Sequence, residues 1–137
     1  MSSFNIFDIA GSGMSAQTVR LNTTASNLAN ADSVSSTAEA AYKARHPVFK
    51  AVQTALGADA TGQQVQVSGI TQSTAQVQAR YEPGNPLANA DGYVYGSNVN
   101  VVEEMVDMIS ASRSYQNNVE VMNTSKEMML ATLKLGQ

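Results

Sequence analysis

NVVEEMVDMISASRSYQNNVEVMNTSKEMMLATLKL, residues 100–135, is the stretch that decides the fold. Val101, Met108, Tyr115, Met122 and Met129 fall seven apart, and Met105, Ser112, Val119, Lys126 and Leu133 form a companion series. Together the two series alternate by four and three, the spacing of a coiled-coil seam. Val102, Ile109 and Leu130 widen the apolar stripe. Asn98 or Asn100 is placed to cap the first turn, and Glu103, Glu104 and Asp107 lie near the positive end of the helix dipole. Gly136 is a natural stop. A helix of this length would be about 50 Å long.

Working outward, the opening of the chain has a matching element. Phe7, Ala10, Met14, Thr18, Leu21, Ala25 and Leu28 are spaced by three and four, which predicts a helix from about Phe4 to Asn30. Gly11 and Gly13 weaken its first turns by roughly 1 kcal/mol each relative to alanine. Residues 31–41 are rich in Ser, Ala and Thr without periodicity and read as a loop. Pro47 demotes any strand in residues 42–53 to an edge or an irregular segment. Residues 55–64, with Gly57 and Gly62, read as a turn or tip. Val65, Val67 and Gly69, then Val77, Ala79 and Tyr81, alternate as two short strands, expected to form a hairpin through Gln72 and Ser73. Residues 82–98, with Pro83, Gly84, Pro86 and Gly92, read as an ordered connection in which Tyr93 and Tyr95 would face one way.

The expected fold is therefore mainly α with a small β insertion. Residues 1–30 and 99–137 pair as an antiparallel coiled coil, and residues 31–98 carry the loop and the short β-hairpin region. Tryptophan is absent and aromatic residues make up only 6% of the chain, so an independent core would be thin. One arm cannot bury so wide a stripe alone, which points to helical packing between subunits. The residues expected at those contacts are Phe7, Met14, Leu21, Asn27, Leu28 and Asn30 on the first arm. On the second they are Val101, Val102, Met105, Met108, Ile109, Tyr115, Val119, Met122, Met129, Leu130 and Leu133.

Composition narrows the function classes. The net charge is −3 and no basic cluster exists to neutralise a row of phosphates, which argues against nucleic-acid binding. With no cysteine there are no disulfides, thiolate metal sites or cysteine nucleophile. Polar residues interrupt every apolar stretch, and the N-terminus lacks the basic and apolar regions of a secretory signal. Gly11-Ser12-Gly13-Met14-Ser15-Ala16 matches the loose dinucleotide fingerprint, but no second buried strand leads to Asp32 and no strand–helix alternation follows. His46 is the lone histidine and has no acidic neighbour in sequence. Glu103, Glu104 and Asp107 read as a solvated helix start rather than a catalytic carboxylate set, and the methionines as an adaptable packing face. No catalytic residue, cofactor, metal site or small-molecule substrate is expected.

Specific words in the chain then point to a family. Ser26-Asn27-Leu28-Ala29-Asn30-Ala31 resembles the segment that ends the first helix in bacterial flagellar rod and hook axial proteins. Tyr42-Lys43-Ala44-Arg45-His46-Pro47-Val48-Phe49, Tyr81-Glu82-Pro83-Gly84-Asn85-Pro86-Leu87-Ala88 and Asp91-Gly92-Tyr93-Val94 are similar to the proximal rod proteins among them. So is the run from Asn98 through Ile109 into Ala111–Asn118. The resemblance spans nearly the whole chain and is weakest over residues 51–64. Residues 33–41 depart from the Thr-Pro-Gly-Tyr turn of many axial proteins, and Asn85 stands where the family often has His. Gly96 and Ser97 precede Asn98 where a Pro is frequent.

The resemblance implies a structural subunit of the proximal rod, the periplasmic drive shaft between the membrane ring and the distal rod and hook. It implies export through the flagellar type III apparatus without a cleaved signal peptide. The implied partners are other copies, other rod proteins, the rod adaptor and the membrane ring protein. Alternatives are another rod or hook-base axial protein, or a helical export chaperone or adaptor, which would be a stable folded dimer.

Overall fold

The computed structural model describes residues 3–53 and 62–136. Helix α1 spans Ser3–Ala29 and helix α2 spans Val101–Leu135, with five strands between them. Three contacts fix how the helices lie. Asn27 reaches Glu104, Arg20 reaches Asp107, and Gly13 faces Asn118. As the α1 number falls the α2 number rises, so the helices run side by side in opposite directions. In 35 residues α2 extends about 52 Å. It outruns α1, so its last two turns project past the start of that helix with Leu130, Leu133 and Leu135 exposed. Among the described elements, α2 touches only α1, whereas α1 also contacts β2 and β3.

The helix ends form as the sequence indicates. Asn100 is the N-cap of α2, its side chain accepting from the Val102 amide at 3.1 Å, with Glu103 and Glu104 in the first turn. Asn98 serves a different purpose. Its amide accepts from the Ala44 N–H at 2.7 Å and donates to the Ala75 carbonyl at 2.8 Å, tying two loops to the entrance of α2. Gly136 ends α2 at φ −93°, without entering the left-handed region. On α1, Asn30 donates to the Ser26 carbonyl at 2.8 Å and closes the last turn.

The strands form two antiparallel sheets. β2 (Arg45–Gln53) pairs with β3 (Gln63–Gln72), with a register shift between Val48 and Phe49. Pro47 sits opposite Ile70, and a two-stranded ribbon has only edge strands, so its missing N–H is tolerated. The second sheet has the order β1-β5-β4, with β1 (Val34–Ser35) and β4 (Ala79–Tyr81) flanking β5 (Tyr93–Gly96). Val94 at its centre is fully buried, and the Tyr81 and Tyr93 rings meet edge-on at 5.2 Å.

Two expectations are corrected here. β3 and β4 do not form a hairpin through Gln72 and Ser73. β3 turns back on β2, and β4 pairs with β5 across the Pro- and Gly-containing connection. Sequence adjacency favoured the nearer partner, but the β4–β5 turn has its own solution, in which Gly92 takes φ +80° and Asn89 accepts from the amides of Asp91 and Tyr93. Residues 31–41 also contain β1, whose two residues pair with Gly96 and Tyr95. The tip expected at residues 55–64 lies mostly outside the described residues; Gln63 and Gln64 belong to β3.

The core is thin. Among the described residues the buried apolar side chains are Ala10, Ala16, Ala41, Ala44, Ala111 and Val94. Five of these six are alanines, each burying little more than one methyl group, or somewhat under 1 kcal/mol of transfer free energy. Beside them lie buried Thr23, Thr24, Asn27, Ser97, Glu104 and Ser125. The Thr23 hydroxyl is satisfied inside its own helix, donating to the Val19 carbonyl at 2.7 Å, and Ser97 donates to the Ala31 carbonyl.

Candidate assembly surface

The face of α2 turned toward α1 is built from small and polar residues. Glu104, Ala111 and Ser125 are buried and Asn118 is half-buried, seven apart in sequence. Facing them on α1 is a series that includes Gly13, Arg20 and Asn27. A Cβ added to Gly13 would lie 2.8 Å from Asn118 Nδ2, so the helices approach closely there. Arg20 Nη2 pairs with Asp107 Oδ1 at 2.7 Å.

Asn27 is the hub of this contact. It is fully buried, and its Nδ2 donates both to Glu104 Oε1 at 2.9 Å and to the Arg45 carbonyl at 2.8 Å. Its Oδ1 accepts from the Arg45 N–H at 2.9 Å and the Tyr42 hydroxyl at 3.0 Å. The Tyr42 ring in turn lies 5.6 Å beneath the Arg45 guanidinium. One side chain thus joins α1, α2 and the start of β2.

Two readings change at this point. Asn27 has no surface to offer another subunit, so its polar contacts are internal to the chain. Glu104 is not part of a solvated helix start: it is 3% exposed and bonded to Asn27, while Asp107, with its side chain 39% exposed, is paired with Arg20. Glu103 is exposed and fits the expected description.

The large apolar residues of α2 lie elsewhere. Val101, Val102, Met105, Ile109, Tyr115, Leu130 and Leu133 are exposed, Val102 by 69%. Met108, Val119, Met122 and Met129 are half-buried at the margins of the helix pair, as are Phe7, Met14, Leu21, Leu28 and Asn30. Val106, outside the set of residues expected at subunit contacts, is 61% exposed. Val102, Met105, Val106 and Ile109 are spaced by three and four and form one stripe turned away from Glu104 and Ala111. At the far end, Ile6, Val121, Ser125 and Met128 line an open apolar hollow of about 540 Å³. The helix pair is thus inside out, with small polar groups between the helices and aliphatic side chains toward water.

The glycines of the dinucleotide-like word lie inside continuous helix α1, not at a strand-to-helix turn. His46 is exposed on β2. Among the described residues no group of three His, Asp or Glu converges as metal ligands, and no helix is long and apolar enough to cross a membrane.

Comparison with known proteins agrees with this architecture. Residues 7–35 match the family model for flagella basal body rod protein, and residues 90–135 match that for the flagellar basal body rod FlgEFG protein C-terminal region. The two matches cover most of the two helices. Flagellar basal-body rod protein FlgC of Escherichia coli O6:H1 is 58% identical, with all of both chains covered. The proteins of the same name from Salmonella typhimurium and Yersinia enterocolitica are 57% and 54% identical, again over the whole of both chains. Alike from end to end at this level, the chain belongs to the FlgC family of flagellar basal-body rod proteins.

Proposed function

We propose that the chain is a non-enzymatic, load-bearing subunit of the proximal flagellar rod, the periplasmic shaft that carries torque from the membrane ring toward the distal rod and hook. The observation that carries this reading is the exposed stripe Val102–Met105–Val106–Ile109 on a helix that, among the described elements, contacts only α1. In a chain of this family, neighbouring subunits are the natural cover for such a stripe. The terminal helices, residues 1–30 and 99–137, act as an antiparallel coiled coil in the tube wall. Residues 31–98 reach neighbours outside it. The partners are other copies, other rod proteins, the rod adaptor and the membrane ring protein. The chain travels through the flagellar type III export apparatus without a cleaved signal, and binds no cofactor, nucleic acid or small-molecule substrate.

The test is complementation. In a strain lacking its own FlgC-family protein, the wild-type chain restores swimming and co-purifies with isolated basal bodies, while a chain carrying Val106→Asp does neither. Swimming with the substituted chain as the sole copy would count against the reading.

A further inference from the structure

Most of the seven methionines lie on α2, and they do not meet water equally. Met105 and Met128 are exposed, by 53% and 56%, whereas Met14, Met108, Met122 and Met129 are half-buried along the helix pair. With no cysteine in the chain, these thioethers are its most readily oxidised side-chain groups. Oxidation turns an apolar sulfur into a sulfoxide, a polar group that needs a hydrogen-bond donor when it is covered. What that oxygen meets differs at the two exposed sites. On a helix surface a side chain is flanked by those three and four positions away. Around Met105 these are Val101, Val102, Met108 and Ile109, none of which carries a side-chain donor. Around Met128 they include Thr124 and Ser125, which line the same hollow as Met128 together with Asn117. Their hydroxyls and amide can serve a sulfoxide there.

We propose that Met105 is a peroxide-sensitive modification site whose sulfoxide keeps a free chain out of the rod. The sulfur lone pair attacks one peroxide oxygen. The S–O bond forms as the O–O bond breaks, and the second oxygen leaves as water. The sulfur gives up two electrons and the peroxide takes them. A neighbour covering the stripe then has to bury the sulfoxide oxygen among Val101, Val102, Met108 and Ile109 without a donor, which disfavours the contact. The same cover shields Met105 once it is in place, so oxidation acts on chains not yet assembled. Methionine sulfoxide reductases restore the thioether, which makes the block reversible. The consequence for assembly rests on the rod-subunit reading, and the order of oxidation does not.

The first measurement treats the purified full chain with hydrogen peroxide and follows each methionine by peptide mass spectrometry. Met105 should oxidise about fivefold faster than Met108, Met122 or Met129. Equal rates overturn the inference. The second uses cells without methionine sulfoxide reductases, in which this chain is the sole FlgC-family protein and is expressed only after peroxide is added. The amount of chain in isolated basal bodies, with peroxide relative to without, should fall about tenfold for the parent. Met128→Leu should keep that dependence and Met105→Leu should lose most of it, whatever level each starts from. The same dependence in both variants overturns the inference. Met105→Gln, which sets an amide oxygen near the place of the sulfoxide oxygen, should keep the circular dichroism of the parent yet be depleted from basal bodies about tenfold without any peroxide. Incorporation of that variant at the parent's level, or loss of its fold, overturns the inference. If the parent itself is absent from basal bodies without peroxide, it is the rod reading that fails, and the consequence for assembly with it.

Discussion

Asn27 and Glu104 are 77 residues apart in sequence and 2.9 Å apart in space, joined by a hydrogen bond that no solvent reaches. The same amide makes two hydrogen bonds to the backbone of Arg45, so one side chain takes part in both helix pairing and the attachment of the β region. Asn27→Ala leaves the Arg45 N–H and carbonyl and Glu104 Oε1 without partners. It should destabilise the monomer by about 3 kcal/mol or more, read from urea denaturation followed by circular dichroism. Glu104→Gln keeps the acceptor for Asn27 and removes the orphan charge, so it should stay within about 1 kcal/mol of the parent. If Asn27→Ala unfolds at the parent's urea concentration, the hub does not hold the fold together.

The two glycines of α1 should respond differently to the same change. Nothing lies near a Cβ at Gly11, so Gly11→Ala should raise stability by up to about 1 kcal/mol through helix propensity. At Gly13 the new atom would press on the Asn118 amide. The propensity gain of Gly13→Ala is then offset by moving that side chain, and Gly13→Leu should force the helices apart. Thermal melting of the three variants gives the order, and Gly13→Leu melting at or above the parent temperature would refute the close approach.

Gly92 occupies the left-handed region at φ +80°, with the Tyr81 ring 2.8 Å from where a Cβ would sit. Gly92→Ala should cost about 1–2 kcal/mol and loosen the β4–β5 pairing. Hydrogen exchange at the Arg80 and Val94 amides, which face each other across the β4–β5 ladder, should speed up while α1 amides keep their protection. Equal loss everywhere would mean the turn folds as one unit with the helices.

Substitutions on the two faces of α2 should separate folding from assembly. Ile109→Asp changes a residue 54% exposed on the face of α2 turned away from α1 and should leave the circular dichroism of the monomer unaltered while abolishing swimming. Met108→Asp and Met122→Asp strike the half-buried margin of the helix pair, so they should lower monomer stability as well as abolish assembly. Normal motility with any of the three as sole copy would contradict an interface on this helix.

The helices were legible in the sequence because caps and periodicity are local properties. Asn100 and the 3–4 spacing mark α2 whichever way it faces. The direction it faces was harder to read. Large apolar residues at seven-residue intervals suggest the intrachain seam, yet Met105 and Leu133 are exposed, and the intrachain contact belongs to Glu104, Ala111, Asn118 and Ser125. That quieter heptad was available as a pattern. It lacked hydrophobic contrast, and only knowledge of the facing residues turns a buried Glu or Ser into a favourable choice. The strand pairing failed for a related reason. Local alternation identifies β3 and β4, but nothing in it says that Val94, in a segment read as a connection, would be the buried centre of a sheet.

The helix pair also sets a timetable. On α2, residues 13–27 meet residues 104–118, so the contact between the helices joins segments some 77 to 105 positions apart. Such contacts are entropically late, since most of the intervening chain must be loosely closed before either helix gains its neighbour. A chain passing end-first through a narrow conduit always has one of the two segments still inside or still to enter. On the proposed export route, the two helices would therefore pair only once both segments have emerged, whichever end leads.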